Sequence, residues 1–278
     1  MTLRTYNGLR QLSIFAWRSF FAREFCSGNF EEVSVKQASS NSTFKSLALL
    51  GTAAILLCGA LGFASPKYPF TGPASPALAA DKGKLTIKLD GQTVGHEEFE
   101  IAPSAGGWVA KGTTDVKPPQ SASTKISGTL VLQPDGAPIS YEWTSKSDKT
   151  NGAHILFANG IAKITLEMQG ARPFEQDLTF GAPLIAVLDN NLYHQYAVLA
   201  RVYDWNKRGP QTFPVLIPQE LTPGSITVES TGSASVDGKS YDGLKVSTSD
   251  IEVLLLLDST HRLMRLEVPA AKVSVIRD

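Results

Sequence analysis

The segment Asp189–Asn206, DNNLYHQYAVLARVYDWN, is the one clear helix signal in a region of the sequence that otherwise resembles strands. Asp189 and Asn190 are typical N-cap residues, since a short side-chain oxygen accepts a hydrogen bond from a first-turn N–H. Gly209 and Pro210 form a stop signal soon after the segment. We therefore predict a helix over residues 189–206.

Apolar side chains surround most of this predicted helix. At about 100° per residue, four large ones fall on one stripe: Leu192, Tyr196, Leu199 and Tyr203. His194 and Arg201 share the opposite side, where Val198 and Trp205 flank them. A helix on a protein surface is rarely apolar around so much of its circumference. We therefore expect a mainly β domain, in which a large curled antiparallel sheet or half-barrel is wrapped around one amphipathic helix.

Segments of alternating apolar and polar residues begin at Lys82, and a period of two is typical of strands. Asp-Gly and Asn-Gly pairs favour two-residue hairpin turns; they occur at residues 90–91, 135–136, 151–152, 159–160 and 237–238. Connections this short make neighbouring strands antiparallel. The predicted strands cover residues 84–90, 94–102, 107–116, 125–133, 138–146, 153–158, 161–168, 173–180, 211–217, 225–236, 239–249, 251–258, 262–268 and 271–277.

Two of these strands carry specific predictions about burial. The uninterrupted apolar run Val253–Leu257 is typical of a strand buried on both faces, which would suit a place beneath the helix. Glu97 and Glu98 are adjacent on another strand, where successive side chains point to opposite faces. The two carboxylates therefore cannot both face one substrate, and we expect one of them to be a solvated charge.

The net charge of zero hides an asymmetry between the two ends of the chain. Residues 1–80 hold 7 Lys+Arg and 3 Asp+Glu (+4), whereas residues 81–278 hold 19 and 23 (−4). A mildly acidic domain without a basic stripe does not favour nucleic-acid binding. Both cysteines, Cys26 and Cys58, precede residue 81, so the strand-rich region has no disulfide, thiolate nucleophile or cysteine metal site.

The N-terminal region has the features of an export signal. Residues 1–44 form a leader of uncertain structure, either a basic amphipathic segment on a membrane or sequence upstream of a later start. Lys45 then precedes an uncharged apolar run, so residues 45–64 are predicted to be a cleaved signal peptide or an uncleaved membrane anchor. Residues 65–81 form a Pro/Ala-rich linker, and residues 82–278 form a single β-rich domain. We expect an exported protein, in the bacterial periplasm or anchored facing it, with membrane contact only through residues 46–64 if they are retained.

Three motifs resemble those of exported bacterial β-rich domains of unknown function. They are the G-x-x-x-G-x-E-x-[FY] pattern at Gly91–Phe99, the Leu-x-Leu-x-x-Asp-Gly-x-Pro pattern at Leu130–Pro138, and the D-x-x-x-R-L-x-x-L pattern at Asp258–Leu266. In overall architecture these domains are similar to the folds of periplasmic lipoprotein carriers, in which a curled sheet covers a helix. The resemblance covers about residues 82–278. It implies a fold of this kind and carries over no catalytic residues.

The polar side of the helix is the best candidate for a site. His194 and Arg201 could bind an anion or carbonyl group, with His194 as acid or base. The alternative is structural: Asp189 and Asn190 cap the helix, and Arg201 pairs with Asp204 or a strand carboxylate. The speculative ligand-binding residues are His194, Arg201, Tyr196, Tyr203 and Trp205.

The aromatic residues and the histidines are further candidates for a binding site. Eight aromatic side chains either line an apolar ligand cavity or fill the core; they are Trp108, Tyr141, Trp143, Phe157, Tyr193, Tyr196, Tyr203 and Trp205. The four histidines, His96, His154, His194 and His261, form no local metal-binding motif, so we expect no metal and no cofactor.

These observations favour a non-enzymatic binding or scaffolding domain of the cell envelope. Its partner would be a lipid or other apolar ligand held between sheet and helix, or an envelope protein. The alternative is a metal-independent hydrolase with a site near His194 and Arg201. The hydrolase requires a polar cleft at His194, whereas a lipid carrier requires an open cavity beside the helix.

Overall fold

The computed structural model describes residues 78–207 and 209–278. The leader, the signal or anchor segment, both cysteines and most of the linker lie outside these residues, so the predictions for them stay predictions. Within the described ranges, no helix is both long enough and apolar enough to cross a membrane.

Fifteen strands and one α-helix form the described part of the chain. The strands before the helix are β1 (Asp81–Leu89), β2 (Gln92–Ser104), β3 (Gly107–Val116), β4 (Thr124–Leu132), β5 (Pro138–Lys146), β6 (Thr150–Ala158), β7 (Ile161–Met168), β8 (Phe174–Thr179) and β9 (Ala186–Val187). The helix α1 spans His194–Val202. The strands after it are β10 (Gln211–Ile217), β11 (Thr222–Val236), β12 (Lys239–Ser247), β13 (Glu252–Leu257), β14 (Leu263–Val268) and β15 (Val273–Arg277).

All fifteen strands belong to one curled sheet with the order β8-β7-β6-β5-β4-β3-β2-β1-β15-β14-β13-β12-β11-β10-β9. Each neighbouring pair is antiparallel except β9 with β10, which is parallel. The first strand β1 pairs with the last strand β15, so the strands before and after the helix form one continuous sheet. Strands β8 and β9 are its two open edges. The predicted fold class is confirmed.

Residues that tolerate positive φ account for several of the hairpin turns in this sheet. Asp90-Gly91, Asn159-Gly160 and Asp237-Gly238 each occupy a turn in which both residues have positive φ. Such φ values give the turn a twist that matches the flanking strands, and Asn, Asp and Gly tolerate them best. The prediction of a turn at Asn151-Gly152 is wrong, because these residues lie inside strand β6.

Helix α1 lies in the core of the curled sheet. All but one of its nine residues are buried, and its closest strand neighbours are β3 and β14. Leu192, Leu199 and Tyr203 from the predicted apolar stripe are almost completely buried. Fully burying a large apolar side chain stabilises the folded state by about 1.5–3 kcal/mol. The prediction that the sheet wraps around this helix is therefore confirmed.

Two local predictions are wrong, and one short strand was not predicted. The helix is shorter than residues 189–206, because the Asp189 side chain is bound elsewhere and the backbone leaves helical geometry at Tyr203 (ψ 129°). The run Val253–Leu257 is fully buried on one face only, because Leu254 and Leu256 on the other face stay partly accessible. Strand β9 was not predicted, since two residues are too few to show a periodic pattern.

Candidate functional site

His194, at the start of α1, forms a buried pair with Glu97 of β2. Its Nδ1 lies 2.5 Å from Glu97 Oε1, and both side chains are fully inaccessible to solvent. Glu97 Oε2 also accepts a hydrogen bond from the Tyr193 backbone N–H at 2.8 Å. The first N–H groups of a helix have no partner within the helix. A strand carboxylate therefore accepts from the first of these N–H groups here, and its negative charge lies at the favourable end of the helix dipole.

The surrounding residues are shaped to hold this pair. Gly112 on β3 faces it, and a Cβ at that position would lie 2.7 Å from Glu97 Oε1 and would also collide with the imidazole. Phe99, two residues after Glu97 on the same face of β2, stacks on the His194 ring at 6.1 Å. Thr114 donates a hydrogen bond to the Asn191 carbonyl at 2.5 Å. The His194 ring is thus enclosed on several sides.

A second buried polar cluster surrounds Asp189, just before the helix. Its carboxylate accepts hydrogen bonds from the Tyr141 hydroxyl (2.7 Å) and from the backbone N–H groups of Asn190 (3.0 Å) and Gln219 (3.1 Å). Burial nevertheless raises the pKa of Asp189 to about 6, because removal from water penalises the charged form more than these bonds favour it. Burial and the nearby Asp189 also raise the pKa of Tyr141 well above its ordinary value.

Arg201, near the end of the helix, belongs to a third cluster centred on Asp81 of β1. Its Nη2 lies 3.8 Å from Asp81 Oδ2. Arg277 binds the same carboxylate more closely, with two contacts of 2.6 and 3.2 Å. Burial lowers the pKa of Arg201, and the Asp81 carboxylate opposes that change. The interpretation that Arg201 pairs with a strand carboxylate is confirmed, whereas Asp204 pairs with Lys207.

The three other speculative site residues lie in the core or at its margin. Tyr203 is buried and donates its hydroxyl hydrogen to the Gly209 carbonyl at 2.9 Å. Trp205 donates to the Ala200 carbonyl and stacks face to face on His261 at 4.0 Å. Burial raises the pKa of Tyr196 to about 12. Of the eight aromatic residues considered for a cavity, all pack in or against the hydrophobic core.

Two cavities of the described residues bear on the predicted ligand site. One cavity of about 20 Å³ lies between α1 and the segment 184–188, with mainly apolar walls. That volume is about enough for one water molecule. A wider depression of about 400 Å³ lies at the turns that join β5 to β6 and β7 to β8, and no helix residue lines it. Neither space is lined by His194 or Arg201.

The structure therefore does not bring the predicted site residues together at one accessible place. His194 and Arg201 bind different carboxylates, Glu97 and Asp81, on the buried face of the sheet. Asp189 and Asn190 do not cap the helix through their side chains, since Tyr193 occupies the N-cap without a side-chain bond. In the described part of the chain, no three His, Cys, Asp or Glu side chains are close enough to hold a metal ion.

Sequence reasoning missed the roles of Glu97 and Asp81. One signal was present, because Glu97 follows the alternation of its strand and shares a face with the apolar Phe99 and Ile101. The expectation that one of two adjacent glutamates is solvated is confirmed: Glu98 is exposed and Glu97 is buried. Local sequence patterns do not show that His194 is the partner of Glu97, because the two residues lie 97 positions apart.

Comparison with known proteins adds a fold-level similarity. No protein-family model matches this chain, and no curated protein is similar to it. Among solved structures, it is similar to a β-barrel-like protein of the domain of unknown function DUF1849 from Brucella abortus, with 12% identity and a TM-score of 0.49 over 72% of this chain and 94% of the other. It is also similar to a DUF1089 family protein from Pseudomonas aeruginosa, with 12% identity and a TM-score of 0.39 over 63% and 90%.

Both structures are bacterial proteins of domains of unknown function. Since both TM-scores lie below 0.5, we base the fold assignment on the sheet of this chain itself.

Proposed function

We propose that residues 82–278 form a non-enzymatic binding or scaffolding domain, exported to a bacterial cell envelope and acting through its outer surface. The observation that carries this proposal is the filled interior, where helix α1 occupies the space that the curled sheet encloses. The predicted export segment, residues 45–64, supports the location.

The small cavity beside the helix favours scaffolding over storage of an apolar ligand. Pockets for small ligands usually have volumes of about 300–1,000 Å³. The cavity between α1 and the sheet has about 20 Å³, so a lipid would have to displace the helix. Displacement would also break the buried contacts of Glu97 with Tyr193 and His194. A lipid or other apolar ligand is therefore the second candidate, and it requires an opened form of the domain.

The hydrolase alternative lacks the feature on which it depends. A general base must reach a substrate through a direct hydrogen bond or one water molecule. His194 is fully buried, one of its ring nitrogens is bound to Glu97, and Phe99 covers its face. Arg201 is held in a separate cluster with Asp81. We therefore do not propose hydrolysis.

Expression of the full chain in a Gram-negative bacterium tests both the location and the ligand. Fractionation and protease treatment of spheroplasts locate the domain, and the intact mass shows whether residues 46–64 are retained. Lipid extraction of the purified protein followed by mass spectrometry tests the ligand. We expect a protein outside the cytoplasm that carries no stoichiometric lipid.

Two results would contradict this proposal. Protein confined to the cytoplasm would refute the envelope role. One lipid per chain after purification would replace scaffolding by the ligand-carrying alternative.

A further inference from the structure

Strand β8 is an open edge of the sheet, with β7 on one side and no neighbouring strand on the other in the described residues. The Phe180 N–H donates to the Gly160 carbonyl on the β7 side at 2.7 Å. Backbone groups alternate in direction along an antiparallel strand. The N–H and C=O groups of Glu175, Asp177 and Thr179 therefore point away from β7. Such a row of backbone donors and acceptors is a template for a further strand.

The side chains of this edge differ between its two faces. The even-numbered residues share the concave face, because Leu178 lies opposite the buried Ala162. On this face Phe174 stays 47% exposed, one of the few large apolar side chains of the described domain that do so. The odd-numbered residues Glu175, Asp177 and Thr179 are exposed on the convex face. The edge therefore presents two apolar side chains, Phe174 and Leu178, with Gln176 between them on one face, and acidic groups on the other.

Nearby charges do not neutralise this acidic row. Lys163 of β7 lies opposite Asp177, but no ion pair joins them among the described salt bridges. Arg172 precedes the strand, and Glu167 adds a further negative charge on β7. An added strand would lie about 4.8 Å from β8 on the side opposite Lys163. Its side chains would therefore meet Glu175 and Asp177 before they met Lys163.

We infer that β8 is a docking site for an extended basic segment of a partner protein, which adds to the sheet as a further strand. The fitting segment alternates apolar residues, which cover Phe174 and Leu178, with Lys or Arg residues, which face Glu175 and Asp177. In this mode the backbone bonds supply affinity and the alternating side chains supply specificity. The inference rests on the proposed scaffolding function and gives that function a partner chemistry.

A second copy of this chain fits the edge less well. If two β8 strands pair antiparallel about a twofold axis, the registers that align most of the strand set Asp177 against Asp177 or Glu175 of the other copy. Like charges directly opposite one another destabilise a strand pair. The same acidic residues that favour a basic segment therefore oppose dimerisation through this edge.

Fluorescence anisotropy with the purified full chain tests this inference. The probe is a labelled peptide of about eight residues in which lysine alternates with valine, long enough to span a typical strand. A peptide with glutamate at the lysine positions and a scrambled basic peptide serve as controls. We expect the alternating basic peptide to bind, and hydrogen exchange at the amides of Glu175, Asp177 and Thr179 to slow in its presence.

Three variants locate the binding. The double variant Glu175→Lys with Asp177→Lys reverses the charge on the convex face of β8. It should therefore weaken binding of the basic peptide roughly tenfold and allow the glutamate peptide to bind. Asp177→Pro should also weaken binding, since it removes an outward N–H without costing a bond to β7. Glu252→Lys reverses an exposed acid on the paired strand β13 and should leave binding unchanged.

Each other outcome overturns the inference. Equal binding of the basic and glutamate peptides removes the charge argument, and binding that survives all the β8 variants lies elsewhere. A dimer that Asp177→Pro abolishes assigns the edge to a second copy. Failure of any peptide to bind refutes the site but leaves the location and lipid measurements standing, so the two proposals fail separately.

Discussion

Glu97 of strand β2 caps helix α1 and holds His194, with 2.5 Å between Oε1 and Nδ1 and 2.8 Å between Oε2 and the Tyr193 nitrogen. A helix of nine residues is too short to be stable by itself in water. Its N-terminus is satisfied by a side chain from the sheet, so the helix forms only when the sheet has curled around it. Glu97 therefore couples the two parts of the core.

Removal of the Glu97 carboxylate should destabilise the domain strongly. Glu97→Ala leaves the buried imidazole and the Tyr193 N–H without an acceptor, and we expect a loss of roughly 3–5 kcal/mol. Glu97→Gln keeps one acceptor oxygen and should cost less than half as much. Urea denaturation followed by tryptophan fluorescence measures both. An equal loss in both variants would show that charge, not hydrogen bonding, is what α1 requires.

Addition of a methyl group at Gly112 should disturb the same pair. The new Cβ would lie 2.7 Å from Glu97 Oε1 and would also collide with the buried His194 ring. We expect Gly112→Ala to lower the free energy of unfolding by roughly 1–3 kcal/mol. Gly181→Ala is the matched control, because no other atom lies within 4 Å of its added Cβ. A Gly112→Ala protein as stable as the control would show that the pair is loosely held.

Asp189 should make the domain less stable as the pH rises. Its pKa is raised from 3.8 to about 6 in the folded protein, so the folded state binds a proton more tightly than the unfolded state. The resulting stabilisation is complete below pH 3.8 and is lost as the pH rises through 6. Its full size is on the order of 3 kcal/mol.

The comparison with Asp189→Asn isolates this effect, since the amide does not titrate. The difference in unfolding free energy between wild type and variant should fall between pH 4 and pH 7 and stay constant above pH 7. Urea titrations at several pH values provide the measurement. A difference that rises over this range would mean that the carboxylate is stabilised by its donors more than it is penalised by burial.

Loss of the Asp81 carboxylate should destabilise the domain more than loss of the Arg201 guanidinium. Asp81→Ala leaves Arg201 and Arg277 buried without their shared carboxylate, and we expect a loss of roughly 3–5 kcal/mol. Arg201→Met keeps most of the side-chain volume, and Arg277 still neutralises Asp81, so this variant should cost about 1 kcal/mol or less. Thermal unfolding followed by circular dichroism compares them. A larger loss for Arg201→Met would indicate that Arg201 is the dominant partner of Asp81.

The strands follow from local chemistry. Alternation along the Ile155–Met168 region and the Asn159-Gly160 turn predicted the β6–β7 hairpin, because side-chain period and positive φ are properties of neighbouring residues. The wrong turn at Asn151-Gly152 shows the limit of such signals. There the pairing of β6 with both β5 and β7 overrides the local preference for a turn.

The ends of the helix were less predictable than its existence. The apolar circumference around Leu199 correctly predicted burial inside a curled sheet. The caps at Asp189 and Asn190 were wrong, because Asp189 bonds to Tyr141 on β5 and to Gln219 after β10, neither of which is near in sequence. A local cap signal cannot compete with a buried hydrogen-bond donor that only the fold supplies.

The amino-acid sequence by itself determined the period of the strands, the hairpin turns and the need to bury a helix that is apolar on nearly every side. Only the tertiary structure decided what its polar residues do. The curl of the sheet brings Glu97 to His194 and Asp81 to Arg201, which lie 97 and 120 positions apart in the sequence, and it leaves one side of β8 without a neighbouring strand in the described residues. Burial, charge pairing and edge exposure depend on contacts between residues that are far apart in sequence, whereas periodicity and turn preference depend on neighbouring residues.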